Sequence, residues 1–221
     1  MRVKMTKRYQ YLSILILTIL ISSCSSTKNI TGKTAKRNTF SDEEIELIMQ
    51  GDSLSPMRVF QINNKSDSIL LSTKSTAVDA ELNHPVLKRV VDRMYLTVRD
   101  SLSAGVGIAA PQVGVLKQII WIQRFDKEGS PFECYLNPRI IQYSKKKQEY
   151  REGCLSVPDR MDTLKSRSYA ILIEYDKMDK THHVEMIEDF TAVIFQHEID
   201  HLNGVLYLQY LDGVLREESL K

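Results

Sequence analysis

Three cysteines are too few to staple a chain of 221 residues, so whatever holds this protein together must be a packed core. Charge of one sign is also lacking, because 30 basic against 28 acidic side chains leave a formal net charge of only +2. Even that surplus is local: Arg2, Lys4, Lys7 and Arg8 fall within the first 23 residues, which hold no acid. Without them the remainder has 26 basic and 28 acidic side chains, and a body so nearly neutral gives no reason to expect nucleic acid as a partner. No internal repeat appears, which excludes solenoids and propeller arrays. With 43% hydrophobic and 26% charged residues, the composition also excludes collagen, a long coiled coil and a fully disordered chain. The length makes room for one domain of ordinary size, or two small ones at most.

The four leading cations precede Leu12 to Ile21, a run that is apolar except for Ser13 and Thr18. Ten residues of helix rise about 15 Å, half of a hydrocarbon core of roughly 30 Å, too short to span but long enough for the centre of an export signal. The run ends in Ile21-Ser22-Ser23-Cys24, which resembles the lipobox of bacterial lipoproteins, whose cysteine is lipidated and becomes the new N-terminus. An uncleaved anchor, or a buried helix with an unrelated cysteine, are the competing readings. Ser25 to Thr39 has almost nothing to bury and reads as a flexible tether. The expected organisation is a signal peptide at 1–23, a lipidated Cys24 with tether at 24–50, a folded domain at 51–215 and a tail at 216–221, with folding content already rising from about Ser41.

Within the body, Leu82, Leu87, Val90, Val91, Met94, Val98 and Leu102 recur at three- and four-residue steps, predicting an amphipathic helix between Asp79 and Ser103. Gln118–Gln123, Glu133–Leu136, Ala170–Tyr175, His183–Ile187 and Val205–Tyr210 are short, rich in branched and aromatic residues, and bounded by turn-formers, so they read as strands. A second helix fits Phe190 to Leu202, ended by Asn203-Gly204. Strands, then a helix, then a strand, without regular alternation, point to an α+β fold.

That second helix carries His197-Glu198-Ile199-Asp200-His201. Residues four apart lie about 40° apart around a helix, one turn above each other, so both imidazoles can reach one metal ion. Glu198 is rotated about 100° from His197 and about 60° from His201, which sets its carboxylate beside the metal where it can hold and deprotonate water. A third ligand is on offer in Glu152-Gly153-Cys154-Leu155-Ser156, where glycine lets the thiolate approach without crowding. His₂Cys leaves one position open, the arrangement of a catalytic site. Against this, the two histidines can be ordinary polar residues and Cys154 a small buried hydrophobe, although Cys134, beside Tyr135 and Leu136, suits that role better. Gly105-Val106-Gly107-Ile108-Ala109-Ala110-Pro111-Gln112 allows close backbone approach by a ligand, or simply a tight bend. It lacks both the G-K-[ST] of a phosphate loop and a third glycine at the dinucleotide interval.

Taken together, Gly105–Gln112, Glu152–Ser156 and His197–His201 resemble, in this order, the three signature motifs of the peptide deformylases. Tyr135-Leu136-Asn137-Pro138 and Leu202-Asn203-Gly204-Val205-Leu206-Tyr207 are similar too, and the likeness runs from about Asp52 to Tyr210. The resemblance implies short antiparallel sheets packed around a central metal-binding helix. It implies one divalent metal on Cys154, His197 and His201, most often Fe²⁺, with Zn²⁺ or Ni²⁺ able to replace it. Glu198 would be the acid/base, and Gln112 with the backbone N–H of Leu155 would face the oxyanion as the N-formyl group leaves a formyl-methionyl peptide. Phe190, Val193 and Ile194 share a helix face with His197 and, with Val106, Gly107 and Glu152, would contact the substrate. The same apolar stripe can equally be core.

The resemblance bends in two places. The family's arginine some ten residues before the strand-ending Asp176 falls here on Ser166, with Arg167 adjacent, which leaves open whether Asp200 has an arginine partner. The family also acts on nascent chains in the cytosol. The leader, in contrast, predicts a place in the bacterial cell envelope, anchored to a membrane through Cys24 and facing away from the cytoplasm, where the protein, expected to be a monomer, would meet exported or foreign formyl peptides or would keep the site and serve something else. A tethered protein that captures formyl peptides or metal with little turnover is the alternative. A zinc endopeptidase shares only H-E-x-x-H, and its third ligand would have to come from Glu217 or Glu218 near the terminus.

Overall fold

The computed structural model describes residues 40–79, 85–100 and 105–211. The expected leader, Cys24, the tail at 216–221, and Leu82 and Leu102 of the first apolar stripe lie outside the described residues. Among the described residues no helix is long and apolar enough to cross a membrane.

The chain opens with α1 (Asp42–Met49) and α2 (Lys65–Leu71), then α3 (Pro85–Arg99). Strands β1 (Gly107–Ala109), β2 (Ile119–Gln123), β3 (Phe132–Tyr143), β4 (Lys147–Cys154), β5 (Val157–Ser168), β6 (Ala170–Asp176) and β7 (His182–Glu188) follow. The long helix α4 (Asp189–Leu202) and the single turn α5 (Leu208–Leu211) complete it. Five strands form one antiparallel sheet in the order β1-β2-β3-β6-β7, while β4 and β5 pair only with each other. Helices and antiparallel sheets in one body make the fold α+β, as the pattern predicts.

The sheet is covered on both faces where β2 runs through it, and the sequence of β2 shows why. Ile119 and Trp121 pack with Val90, Met94 and Val98 of α3, while Ile120 and Ile122 pack with Ile194, Phe195 and Ile199 of α4. A strand buried on both sides reads as a continuous apolar run, here Ile119-Ile120-Trp121-Ile122, because there is no wet face to demand alternation. The α3 stripe behaves as expected, with Leu87, Val90, Val91, Met94 and Val98 buried and Lys88 and Asp92 outside. Pro85 stands at its first position, where the missing N–H costs nothing.

Two expectations need correction. Val205–Tyr210 is not a strand, because Leu208–Leu211 forms α5. A short apolar run does not distinguish strand from helix by periodicity alone. The helical turn is what sets Tyr207 and Tyr210 on one side, Tyr207 against His197 and Tyr210 over Arg167. The folded body also starts earlier than residue 51. Ser41 and Glu44 form a capping box at the start of α1, Ile48 is fully buried, and the α3 side chains Arg89 and Arg93 donate to Ile48, Gln50 and Gly51 carbonyls at its end. The β4–β5 hairpin has no clear sequence signal: nearly half of its residues are charged and they carry no clean alternation.

Candidate metal centre

Helix α4 is buried on every side from Thr191 to Leu202, although five of those residues are Gln196, His197, Glu198, Asp200 and His201. Polar groups in such a place must find partners or cost free energy. Gln196 is satisfied by both backbone groups of Ser168 and by the Ala192 carbonyl. Asp200 accepts from Arg167 at 2.6 Å and from the Tyr210 hydroxyl at 3.0 Å. Glu198 Oε2 and His201 Nδ1 are buried without any hydrogen-bond partner, two of four such side-chain atoms among the described residues. The helix ends as expected at Asn203-Gly204, where Gly204 takes φ +74° and a methyl group would stand 2.5 Å from the Ser72 carbonyl oxygen.

The spacing argument for the two histidines holds in space, with ring centroids 5.0 Å apart. Cys154, at the end of β4, comes to them from the other sheet. Its sulfur is 3.2 Å from His201 Nε2, and one ligand atom from each of the three residues lies within 4.8 Å of the others. Burial pushes the Cys154 thiol up, but the facing imidazoles outweigh it and hold it well below its ordinary value, so the thiolate is the favoured form. A carboxylate can only accept, so the 2.9 Å contact from His197 Nδ1 to Glu152 fixes the proton on Nδ1 and leaves Nε2 as a ligand. A half-buried thiolate with two buried imidazoles is a donor set that suits Fe²⁺, Zn²⁺ or Ni²⁺.

Glu152 does more than orient that ring. Its two oxygens accept from Arg167 Nε and Nη2 at 2.8 and 2.9 Å, while Arg167 Nη1 reaches Asp200. Expected to contact substrate, Glu152 lines the cavity beside the metal centre, and its two oxygens are also engaged by Arg167 and His197. Burial alone would raise its pKa, yet Arg167 and His197 hold it at about 2. The register of the hairpin explains why the arginine is residue 167. Tyr150 pairs with Leu164 and Gln148 with Arg167, so β5 uses three residues where β4 uses two. This bulge puts Arg167 on the face that an unbroken register would give to Ser166.

Gln112 sits fully inside, in a 3-10 turn that follows β1 (Ala110–Val113). Its Oε1 accepts from the Ala109 N–H at 2.8 Å, which turns Nε2 toward the Cys154 sulfur at 3.6 Å and the Ser156 hydroxyl at 3.4 Å. Gly107 makes room for the acid: a methyl group there would lie 2.6 Å from Glu198 Oε1 and 2.9 Å from Ile194 Cγ2. Burial raises the Glu198 pKa to about 7, against the pull of His197 and His201, so without a cation the carboxyl is poised near neutrality.

These groups open on one cavity of about 720 Å³. Val106, Gly107, Gln112, Cys154, Leu155, Phe190, Val193, Ile194, His197 and Glu198, each picked out from the sequence, all line it. Phe190 is braced by Tyr150, its ring stacked at 4.7 Å. The far wall, which the sequence did not announce, comes from the hairpin and includes Arg151, Arg160 and Met161.

Residues 57–217 match the family described as polypeptide deformylase. The peptide deformylase of Rhizobium meliloti (strain 1021) is 37% identical over 154 residues, 68% of this chain and 83% of that protein. Among solved structures, the Thermotoga maritima peptide deformylase superposes with a TM-score of 0.61 at 29% identity, covering 70% of this chain and 96% of its own. A class I type b peptide deformylase from Acinetobacter baumannii, bound to Met-Ala-Ser, gives 0.60 at 31% identity over 70% and 97%.

Proposed function

The chain belongs to the peptide deformylase family, and from that premise we propose that it deformylates formyl-methionyl peptides at the Cys154–His197–His201 site while tethered to a bacterial membrane through Cys24. It is a peptide deformylase, a hydrolase that takes one divalent metal ion, typically Fe²⁺ in this family. The observation that carries the assignment of residues is the convergence of a half-buried thiolate and two buried imidazoles beside a buried carboxylate oxygen without a hydrogen-bond partner among the described residues.

A formamide carbonyl is a poor electrophile, and an amide anion is too basic to leave. When bound, the cation supplies Lewis acidity toward a carbonyl oxygen and toward water. Glu198 takes a proton from the attacking water and then delivers it to the departing nitrogen, so formate and a free α-amino group result. Gln112, its amide held by the Ala109 N–H, aims Nε2 at the charge developing on the formyl oxygen, and the Leu155 N–H is the second donor. Val106, Gly107, Phe190, Val193 and Ile194 exclude water from around a methionine-like first side chain. A Met-Ala-Ser peptide bound to the similar Acinetobacter baumannii enzyme supports a peptide lying in this cavity.

The envelope location rests on the leader: four cations, a ten-residue apolar run, and Ile21-Ser22-Ser23-Cys24. An enzyme held there meets formyl peptides that have left the cytoplasm. The test is a formate-release assay on the metal-loaded chain with Fe²⁺ under anaerobic conditions, and with Ni²⁺ and Zn²⁺ in parallel. Turnover of formyl-Met peptides that vanishes in Glu198→Ala is expected, and an inert Fe²⁺-loaded protein refutes the assignment. Mass spectrometry of the mature N-terminus decides the anchor: a diacylglyceryl mass on Cys24 is expected, and an intact Met1 overturns it.

A further inference from the structure

The cavity has a charge that the deformylation chemistry does not use. Arg151 lines its outer wall, is exposed, and has no ion-pair or hydrogen-bond partner among the described residues. Of the other charged groups that line it away from the reacting centre, only Asp159 is likewise without an ion pair or hydrogen bond among the described residues, and the rest are engaged. Arg160 is paired with Asp162 at 2.7 Å. Glu152 is held by Arg167 and His197, and Glu198 stands at the formyl end. Arg151 is thus an uncompensated guanidinium facing a space that a peptide is expected to fill.

Its distance from the reacting centre follows from the strand. Arg151 lies three residues before Cys154 on β4, about 10 Å away at strand rise, and Gly153 between them adds no side chain in the path. Alternation puts Arg151 and Gly153 on one face of β4 and buried Glu152 on the other. Opposite Gly153 on β5 is Met161, which lines the same cavity. A peptide with its formyl group at Cys154 and its chain extended along this wall brings its third residue to Arg151.

We propose that Arg151 determines specificity by receiving a carboxylate carried on the third residue of the formyl peptide, so that short anionic formyl peptides are the favoured substrates. This rests on the deformylase reading of the site and adds a substrate class to it. The carboxylate can be the terminal one of a tripeptide or an acidic side chain in a longer peptide; the guanidinium geometry is the same for both. Because Arg151 is exposed, the contact is a solvated one, and its effect is about two- to five-fold in KM with kcat little changed. It weakens as ionic strength rises.

The experiment compares four substrates on the metal-loaded full chain: formyl-Met-Ala-Ala as free acid and as amide, and amidated formyl-Met-Ala-Asp and formyl-Met-Ala-Asn. Lower KM for the free acid over its amide, or for Asp over Asn, supports the proposal, and which pair shows it tells the terminal from the side-chain source. In Arg151→Gln the preference falls toward unity, and in Arg151→Glu it inverts. Equal KM values within both pairs, or a preference that survives unchanged in Arg151→Gln, overturn it while leaving deformylation intact. Absence of turnover on all four substrates would instead count against the deformylase reading itself.

Discussion

Replacing Arg167 by methionine is the sharpest test of how the metal centre is built. The guanidinium is 1% exposed and binds two carboxylates that are themselves 5% and 8% exposed, making three charge-assisted hydrogen bonds of 2.6 to 2.9 Å. Removing one member of a buried ion network leaves the remainder uncompensated, which costs about 3–5 kcal/mol. A domain of ordinary stability has roughly 5–15 kcal/mol in all, so the loss is a large share of it. For a chain of this size it corresponds to a fall of roughly 6–20 °C in Tm. A second effect lies at the metal. Without Arg167, Glu152 loses the main group that holds it ionised, and its grip on His197 Nδ1 weakens. Loss of such an outer partner lowers metal affinity about 10- to 100-fold. Urea unfolding of the metal-free chain and chelator competition on the loaded one measure the two effects separately. Neutralising the stranded acids as well, with Glu152→Gln and Asp200→Asn added to Arg167→Met, should return much of the lost stability. If Arg167→Met unfolds within 1 kcal/mol of the parent and binds metal equally well, the account of the network is wrong.

Two further outcomes follow from the same geometry. Gly107→Ala places a methyl group where Glu198 Oε1 and Ile194 Cγ2 now lie, so the carboxylate must shift; displacement of about 1 Å in a reacting group costs on the order of 100-fold in kcat. Metal content should persist in this variant, and a kcat within three-fold of the parent would contradict the close approach. Acid stability tests the opposite end of the sheet, where burial pushes the Glu133 carboxyl up but Lys127, Tyr135 and Lys177 outweigh it and hold it at about 2. A folded-state value below the unfolded one of about 4.3 means stability that is present above pH 4.3 and lost as pH falls toward 2, on the order of 2–3 kcal/mol. Measured on the metal-free chain, the difference between parent and Glu133→Gln should shrink over that interval; a difference that stays constant with pH refutes it.

The parts of the site that could be read from the sequence are those whose geometry is local. The pair His197 and His201 needs only the pitch of one helix, and the helix announced itself by its apolar stripe and its Asn203-Gly204 stop. Gln112 and Gly107 lie within one eight-residue segment, and Cys154 within another, so each was found with its neighbours. Only the resemblance to a family joins the three segments, since no spacing rule says that β4 and α4 meet. The misread Val205–Tyr210 shows the limit of periodicity: the Tyr207 hydroxyl donates to Asp162 and the Tyr210 ring packs against Arg167, partners that lie far away in sequence. The charged hairpin β4–β5 hid for a related reason. Its inward residues Glu152 and Arg167 are ionic, so burial there is satisfied by pairing and leaves no hydrophobic signal.

That pairing also explains how two separate sheets share one metal site. The five-stranded sheet holds α4 through an apolar core, but Cys154 comes from the two-stranded sheet, which needs its own fixed distance to the helix. Apolar packing by Val157, Leu164 and Tyr207 is non-directional and does not by itself fix the distance of the hairpin from the helix. Arg167 fixes it, because it joins Glu152 on β4 to Asp200 on α4 through a rigid planar fork. Glu152 then returns to α4 at His197, so a loop of charge-assisted bonds leaves the helix at Asp200 and re-enters it three residues earlier. A thiolate two residues from Glu152 is carried along to the place where both imidazoles can meet it. The single extra residue in β5 is therefore a condition of the metal site: without it Ser166 would occupy the inward face, too short to bridge two carboxylates and without the charge to keep them ionised.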